Sequence, residues 1–101
     1  MGIPESVMKR LIAVFEKNKS IDKVFLFGSR ARGDNRYNSD IDLAIKGDRI
    51  RSSVIMDIKD AVGLYKVDVL NLSDELDNSF REELEKDILL IYDKELYNVD
   101  L

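Results

Sequence analysis

The chain has 101 residues, 45% hydrophobic and 36% charged, which suits one modest core in a single domain spanning 1–101. Sixteen basic against twenty acidic residues leave a net charge of −4, which argues against broad, sequence-independent binding to a nucleic-acid duplex. With no Cys and no His, disulfides, thiolate zinc sites, thiol nucleophiles and imidazole bases are excluded, so any bound metal must be held by oxygen, as Mg²⁺, Mn²⁺ or Ca²⁺ is.

At the N-terminus, MGIPES fits the permissive M-G-x-x-x-[ST] myristoylation pattern, but nothing nearby supplies a second membrane anchor. The longest apolar runs, such as Leu11–Phe15 and Ile88–Tyr92, are five residues long. Runs that short make neither a membrane span nor a signal peptide, and a cytoplasmic protein is expected.

Pro4 and Glu5 open a helical pattern in which Val7, Leu11 and Phe15 recur at i, i+4 and i+8, and Asn18 to Ser20 end it. Val24–Phe27 reads as a short buried strand stopped by Gly28. Residues 29–39 are polar and turn-rich, with room for one helical turn after the glycine. From Asp40 to Ile45 the chain alternates, with Ile41, Leu43 and Ile45 on one face and Asp40, Asp42 and Ala44 on the other. Ile50, Val54, Ile58 and Ala61 return to helical spacing, and Gly63 stands where a C-cap glycine would. Lys66–Leu72 reads as a third strand, and Ser73 as the N-cap of a helix through Phe80, Leu84 and Ile88. Ile88–Tyr92 fits either a last strand or the end of that helix. The expected fold is α/β (α+β), a small mixed sheet of three or four strands with helices on one face and a polar, open second face.

Asp40 and Asp42, two apart on a strand, point to the same face, roughly 6.6 Å apart along the strand. Asp68 repeats the arrangement on another strand, between Val67 and Val69. Three carboxylates on one sheet face suit a hard divalent cation, although Asp-x-Asp also occurs as a plain polar strand edge. Upstream, Gly28-Ser29 follows an apolar strand, where a glycine lets backbone N–H groups approach a phosphate. Arg30, Arg32 and Arg36 place three cations within seven residues of an acidic chain, a local reversal of charge that suits a polyphosphate.

Gly28-Ser29, ten residues, then Asp40-Ile41-Asp42-Leu43, with Ser39 before it and Asp68 after it, resembles the DNA polymerase β nucleotidyltransferase superfamily. GSRARGDNRYNSDIDLAI is similar in particular to the minimal nucleotidyltransferases, and the closing FREELEKDILLIY resembles their last helix and strand, save for a missing glycine near Asp87. The resemblance implies that Asp40, Asp42 and Asp68 bind Mg²⁺, two ions in all, and act in catalysis. It further implies that Gly28 and Ser29 hold the triphosphate of ATP, with Arg30 or Arg32 on phosphate.

Proteins resembling this one pair with a small helical HEPN ribonuclease as antitoxin and toxin, moving AMP from ATP onto tyrosine hydroxyls of the toxin. The resemblance therefore implies a HEPN-domain toxin as acceptor and partner in a hetero-oligomer, with no direct nucleic-acid or membrane contact. Two other readings stay open: an antitoxin that neutralises by binding alone, and the nucleotidyltransferase half of a small-molecule-modifying enzyme. Tyr37 reads as a loop tyrosine, a base-stacking group or a modified acceptor. Leu89, Ile91, Leu96 and Tyr97 either close the core or form a partner surface.

Overall fold

Residues 2–36, 38–72 and 87–97 are described by the computed structural model. Helix α1 (Glu5–Lys17) buries Val7, Leu11 and Phe15, the stripe expected from the spacing. Glu5 in its first turn and Lys17 in its last both complement the helix dipole. Asn18 ends it by donating from Nδ2 to the Val14 carbonyl at 2.7 Å.

Strand β1 (Ile21–Phe27) starts three residues earlier than its apolar run, which begins at Val24. Ile21 is fully buried, and a register shift between Ile21 and Lys23 accommodates the polar pair Asp22-Lys23. A single helical turn, α2 (Ser29–Arg32), follows Gly28. Strand β2 (Ile41–Gly47) leads into helix α3 (Ser52–Val62), which buries Val54, Ile58, Ala61 and Val62 and ends at Gly63 with φ +64°. Strands β3 (Val67–Asn71) and β4 (Leu89–Asp93) complete a sheet of order β3-β2-β1-β4. β1 runs antiparallel to β2 and β4, and β2 runs parallel to β3, so the sheet is mixed.

Ile88–Tyr92 is thus resolved in favour of a strand, and a short helix α4 (Lys94–Tyr97), absent from the expectation, follows it. Lys94 Nζ ties α4 to the Lys19 carbonyl at 3.0 Å. The expected helix beginning at Ser73 lies almost wholly outside the described residues, as does Tyr37.

Helices α1 and α3 pack together and share one core with the inward-facing Ile21, Val24, Leu26, Ile41, Leu43 and Ile45. Arg10 Nε also reaches the Ala61 carbonyl at 2.8 Å, joining α1 to the end of α3. Ile91 and Tyr92 close the core from β4, with the Tyr92 ring 5.4 Å from Phe15, whereas Leu89 and Leu96 are exposed.

The second sheet face is less polar than its sequence implies. Ala44, on the Asp42 side of β2, is 0% exposed. It pairs in register with Phe25 on one flank and Leu70 on the other, both half-buried. An apolar centre therefore occupies that face, and the carboxylates lie at one end of it. No described helix is long and apolar enough to cross a membrane.

Candidate active site

Strand directions bring three distant segments to one end of the sheet. β2 and β3 are parallel, so the start of one lies beside the start of the other, and Asp42 faces Asp68 in register. β1 is antiparallel to β2, so its last residue, Phe27, pairs with Asp42 and delivers Gly28 to the same place. Asp40 immediately precedes β2. Neighbouring strands lie ~4.8 Å apart, and register partners on parallel strands share a face.

Gly28 has φ +75° and ψ −157°, a backbone state that side chains rarely adopt. A Cβ there would meet Asp42 Cγ at 3.2 Å and the carboxylate oxygen closer still. The conformation favours glycine, and a Cβ would also have to displace the Asp42 carboxylate. The Gly28 carbonyl accepts from the Ala31 and Arg32 amides, each at 3.1 Å, which starts α2 at Ser29. The first amides of such a turn face its N-terminal side, where Gly28 adjoins Asp42.

Asp42 is half-buried, Asp40 likewise, and Asp68 is exposed. Burial raises the Asp42 pKa above its ordinary value of 3.8, and the charges of Asp68 and Asp40 raise it further. Arg32 and Arg30 pull in the other direction. Charges that the sequence had singled out therefore converge on one carboxyl.

The two arginines differ sharply. Arg32 is exposed, with Nε 3.2 Å from Asp34 Oδ2 and Nη1 3.9 Å from Asp87 Oδ2. Arg30 is 2% exposed. Its Nε and Nη2 donate to the Ser39 carbonyl at 3.0 and 2.7 Å, and Nη1 donates to the Gly2 carbonyl at 2.6 Å. The guanidinium carbon also sits 5.2 Å from the centroid of the Tyr65 ring. Sequence reasoning missed Tyr65 and the Ser39 carbonyl, because neither carries a charge or lies in a motif. Arg36 is exposed, and its amide donates to Ser39 Oγ at 2.8 Å.

Beside Asp40 a groove of about 600 Å³ is lined by Asn38, Ser39, Leu64, Tyr65 and Lys66. Asp40 and Asp68 together border a second hollow of about 370 Å³, which Lys66 and Tyr65 also line.

Among the described residues no three carboxylates are drawn together into a ready-made metal-binding group. Mg²⁺ seldom uses an all-protein cage; one or two carboxylates plus substrate phosphates are its usual ligands. The residues present suit that mode. All their donors are oxygens, and the charges of Asp68 and Asp40, which add to burial in raising the Asp42 pKa, are what a cation would offset.

The polymerase β nucleotidyltransferase family model matches residues 9–96, nearly the whole chain. The chain belongs to the polymerase β nucleotidyltransferase family. Solved structures repeat the fold. A toxin–antitoxin complex with AMP-PNP matches at TM-score 0.68 and 21% identity, over 89% of this chain and 76% of that one. The tri-AMPylated Shewanella oneidensis HEPN toxin in complex with its MNT antitoxin matches at TM-score 0.62 and 13% identity, over 91% and 74%. A putative nucleotidyltransferase from Sulfolobus solfataricus matches at TM-score 0.51 and 22% identity, over 94% of each chain. Among curated proteins, none matches this sequence.

Proposed function

We propose that this nucleotidyltransferase is the antitoxin of a toxin–antitoxin pair and transfers AMP from ATP to tyrosine hydroxyls of a cognate HEPN ribonuclease toxin. The observation that carries the reading is the in-register pairing of Asp42 with Asp68 beside Gly28 and its arginine-bearing turn, in a family of nucleotidyltransferases. The choice of acceptor draws support from the structural neighbours, one an AMPylated HEPN toxin with its antitoxin and one a toxin–antitoxin complex with AMP-PNP.

In this reading the amides after Gly28, Ser29 Oγ and the exposed Arg32 hold the triphosphate. Asp40, Asp42 and Asp68 hold two Mg²⁺ ions. Such ions, when bound, activate the attacking oxygen and neutralise the leaving one in an in-line displacement. The acceptor oxygen forms a bond to the α-phosphorus, the bond from that phosphorus to the bridging oxygen breaks, and pyrophosphate leaves with the electron pair. Asp68, the most exposed acid of the three, takes the hydroxyl proton. The groove beside Asp40 gives the acceptor room to approach.

Mass spectrometry of the partner toxin after incubation with this chain, ATP and Mg²⁺ tests the proposal. An increment of one AMP per modified tyrosine is expected. A stable but unmodified complex would instead mark a binding-only antitoxin, and neither complex nor adduct would point to a small-molecule acceptor.

A further inference from the structure

Asp40 lies outside the β2 ladder, at the end of a polar loop, yet the peptide units on both sides of it are pinned. Downstream, the Ile41 amide donates to the Lys66 carbonyl at 2.8 Å. Upstream, the Ser39 carbonyl accepts two hydrogen bonds from one buried guanidinium, that of Arg30. The remaining Arg30 nitrogen holds the Gly2 carbonyl, and the Gly2 amide returns a bond to the Arg30 carbonyl at 3.2 Å. Tyr65, stacked against the guanidinium, belongs to the turn between α3 and β3 and is followed by the same Lys66 that pins Ile41. Arg30 itself sits in α2, next to Ser29. One side chain thus joins the turn after Gly28, the loop carrying Asp40 and the turn leading to Asp68.

We infer that Arg30 is a positioning residue that sets the place of the Asp40 carboxylate relative to Asp42 and Asp68 by clamping the Ser39 carbonyl. Its role is distinct from that of the exposed Arg32, whose guanidinium pairs with Asp34, whereas the Ser39 and Gly2 carbonyls are held by Arg30. The planar fork is well shaped for such a clamp, since Nε and Nη2 bind one carbonyl while Nη1 binds another, an arrangement that a lysine ammonium cannot reproduce. The role presupposes that Asp40 serves in nucleotidyl transfer, as proposed above.

Arg30→Met and Arg30→Lys in the full chain test the inference, alone and in an Asp40→Asn background. Mn²⁺ affinity by electron paramagnetic resonance, transfer kinetics and melting temperature are read at a temperature well below every midpoint. Supporting groups behind metal ligands are typically worth roughly 10–100-fold in affinity or activity, and Arg30→Met should lose that much in Mn²⁺ affinity. It should lower kcat more than it raises KM for ATP. Arg30→Lys, which keeps the charge and one hydrogen bond, should recover part of both losses. In the Asp40→Asn background Arg30→Met should cost about twofold or less in Mn²⁺ affinity, while its loss of melting temperature persists in full.

An Arg30→Met chain that melts lower but binds Mn²⁺ and transfers like the unmodified one would overturn the inference, as would an equal loss of Mn²⁺ affinity with and without Asp40. Should Arg30→Met fail to fold, Arg30→Lys carries the same comparison. An unmodified chain that neither binds Mn²⁺ nor transfers AMP would overturn the proposed function itself, and the inference with it.

Discussion

At Gly28 a left-handed backbone and a closely approaching carboxylate coincide on one residue. Gly28→Ala introduces both strain and a clash with Asp42, and a residue forced into such a conformation costs about 1–3 kcal/mol. Chemical denaturation should show that loss. Under the proposed function Gly28→Val should also abolish transfer, since the extra bulk would fill the space proposed for the phosphate. If the valine variant transfers as well as the unmodified chain, the cradle lies elsewhere. Gly28 was legible in the sequence because a glycine that closes an apolar strand marks a sharp turn or a close backbone approach, and here it makes both. Arg30 was not. In the sequence it is one of three nearby cations and reads as a phosphate ligand like Arg32, whereas the carbonyls it binds belong to Gly2 and Ser39, which only the fold brings to it.

Among the elements, β2, α3 and β3 form the unit that aligns Asp42 with Asp68, and α3 holds it by burying Ile58 among Leu11, Ile41 and the rest of the core. Ile58→Ala should cost about 2–5 kcal/mol in urea unfolding, the usual range for a large-to-small change at a fully buried position. The residue lies on the helical face of the sheet, away from the acid end of the other face, so transfer measured well below the melting point should stay within experimental error. A large drop in kcat there would show that the site depends on core packing more than its location implies. The two long helices among the described residues were legible from their apolar period, and β2 from its alternation. The first residues of β1 were hidden by Asp22 and Lys23, which a register shift accommodates at the strand's start. Ile88–Tyr92 was ambiguous because five apolar residues fit either period; pairing with β1 decides for a strand. The second face reads as polar in the sequence because Asp42 and Lys46 flank Ala44, and a small residue between two charges gives no hint of Phe25 and Leu70 beside it.

At the scale of the molecule, the proposed site lies at one end of the described sheet of an acidic protein, where the like charges of Asp40, Asp42 and Asp68 meet. Burial, Asp68 and Asp40 raise the Asp42 pKa above 3.8, so its ionised form costs the metal-free protein stability at neutral pH. Protonation relieves that cost as pH falls through the raised value toward 3.8. Asp42→Asn removes the charge and keeps the shape, so in chelator the variant should be at least as stable as the unmodified chain at pH 7, with its advantage shrinking toward acid pH. Bound ligand reverses the comparison, because saturation at 100 times Kd stabilises the folded state by about 2.7 kcal/mol. The deciding measurement is calorimetric melting of both proteins in chelator and again with Mg²⁺ and a non-hydrolysable ATP analogue. The unmodified chain should melt clearly higher with Mg²⁺ and nucleotide, while Asp42→Asn, no less stable without them, should barely move. An Asp42→Asn protein that is less stable in chelator, and that Mg²⁺ and nucleotide raise as much as they raise the original, would contradict a metal-assisted nucleotidyl-transfer site built on Asp42.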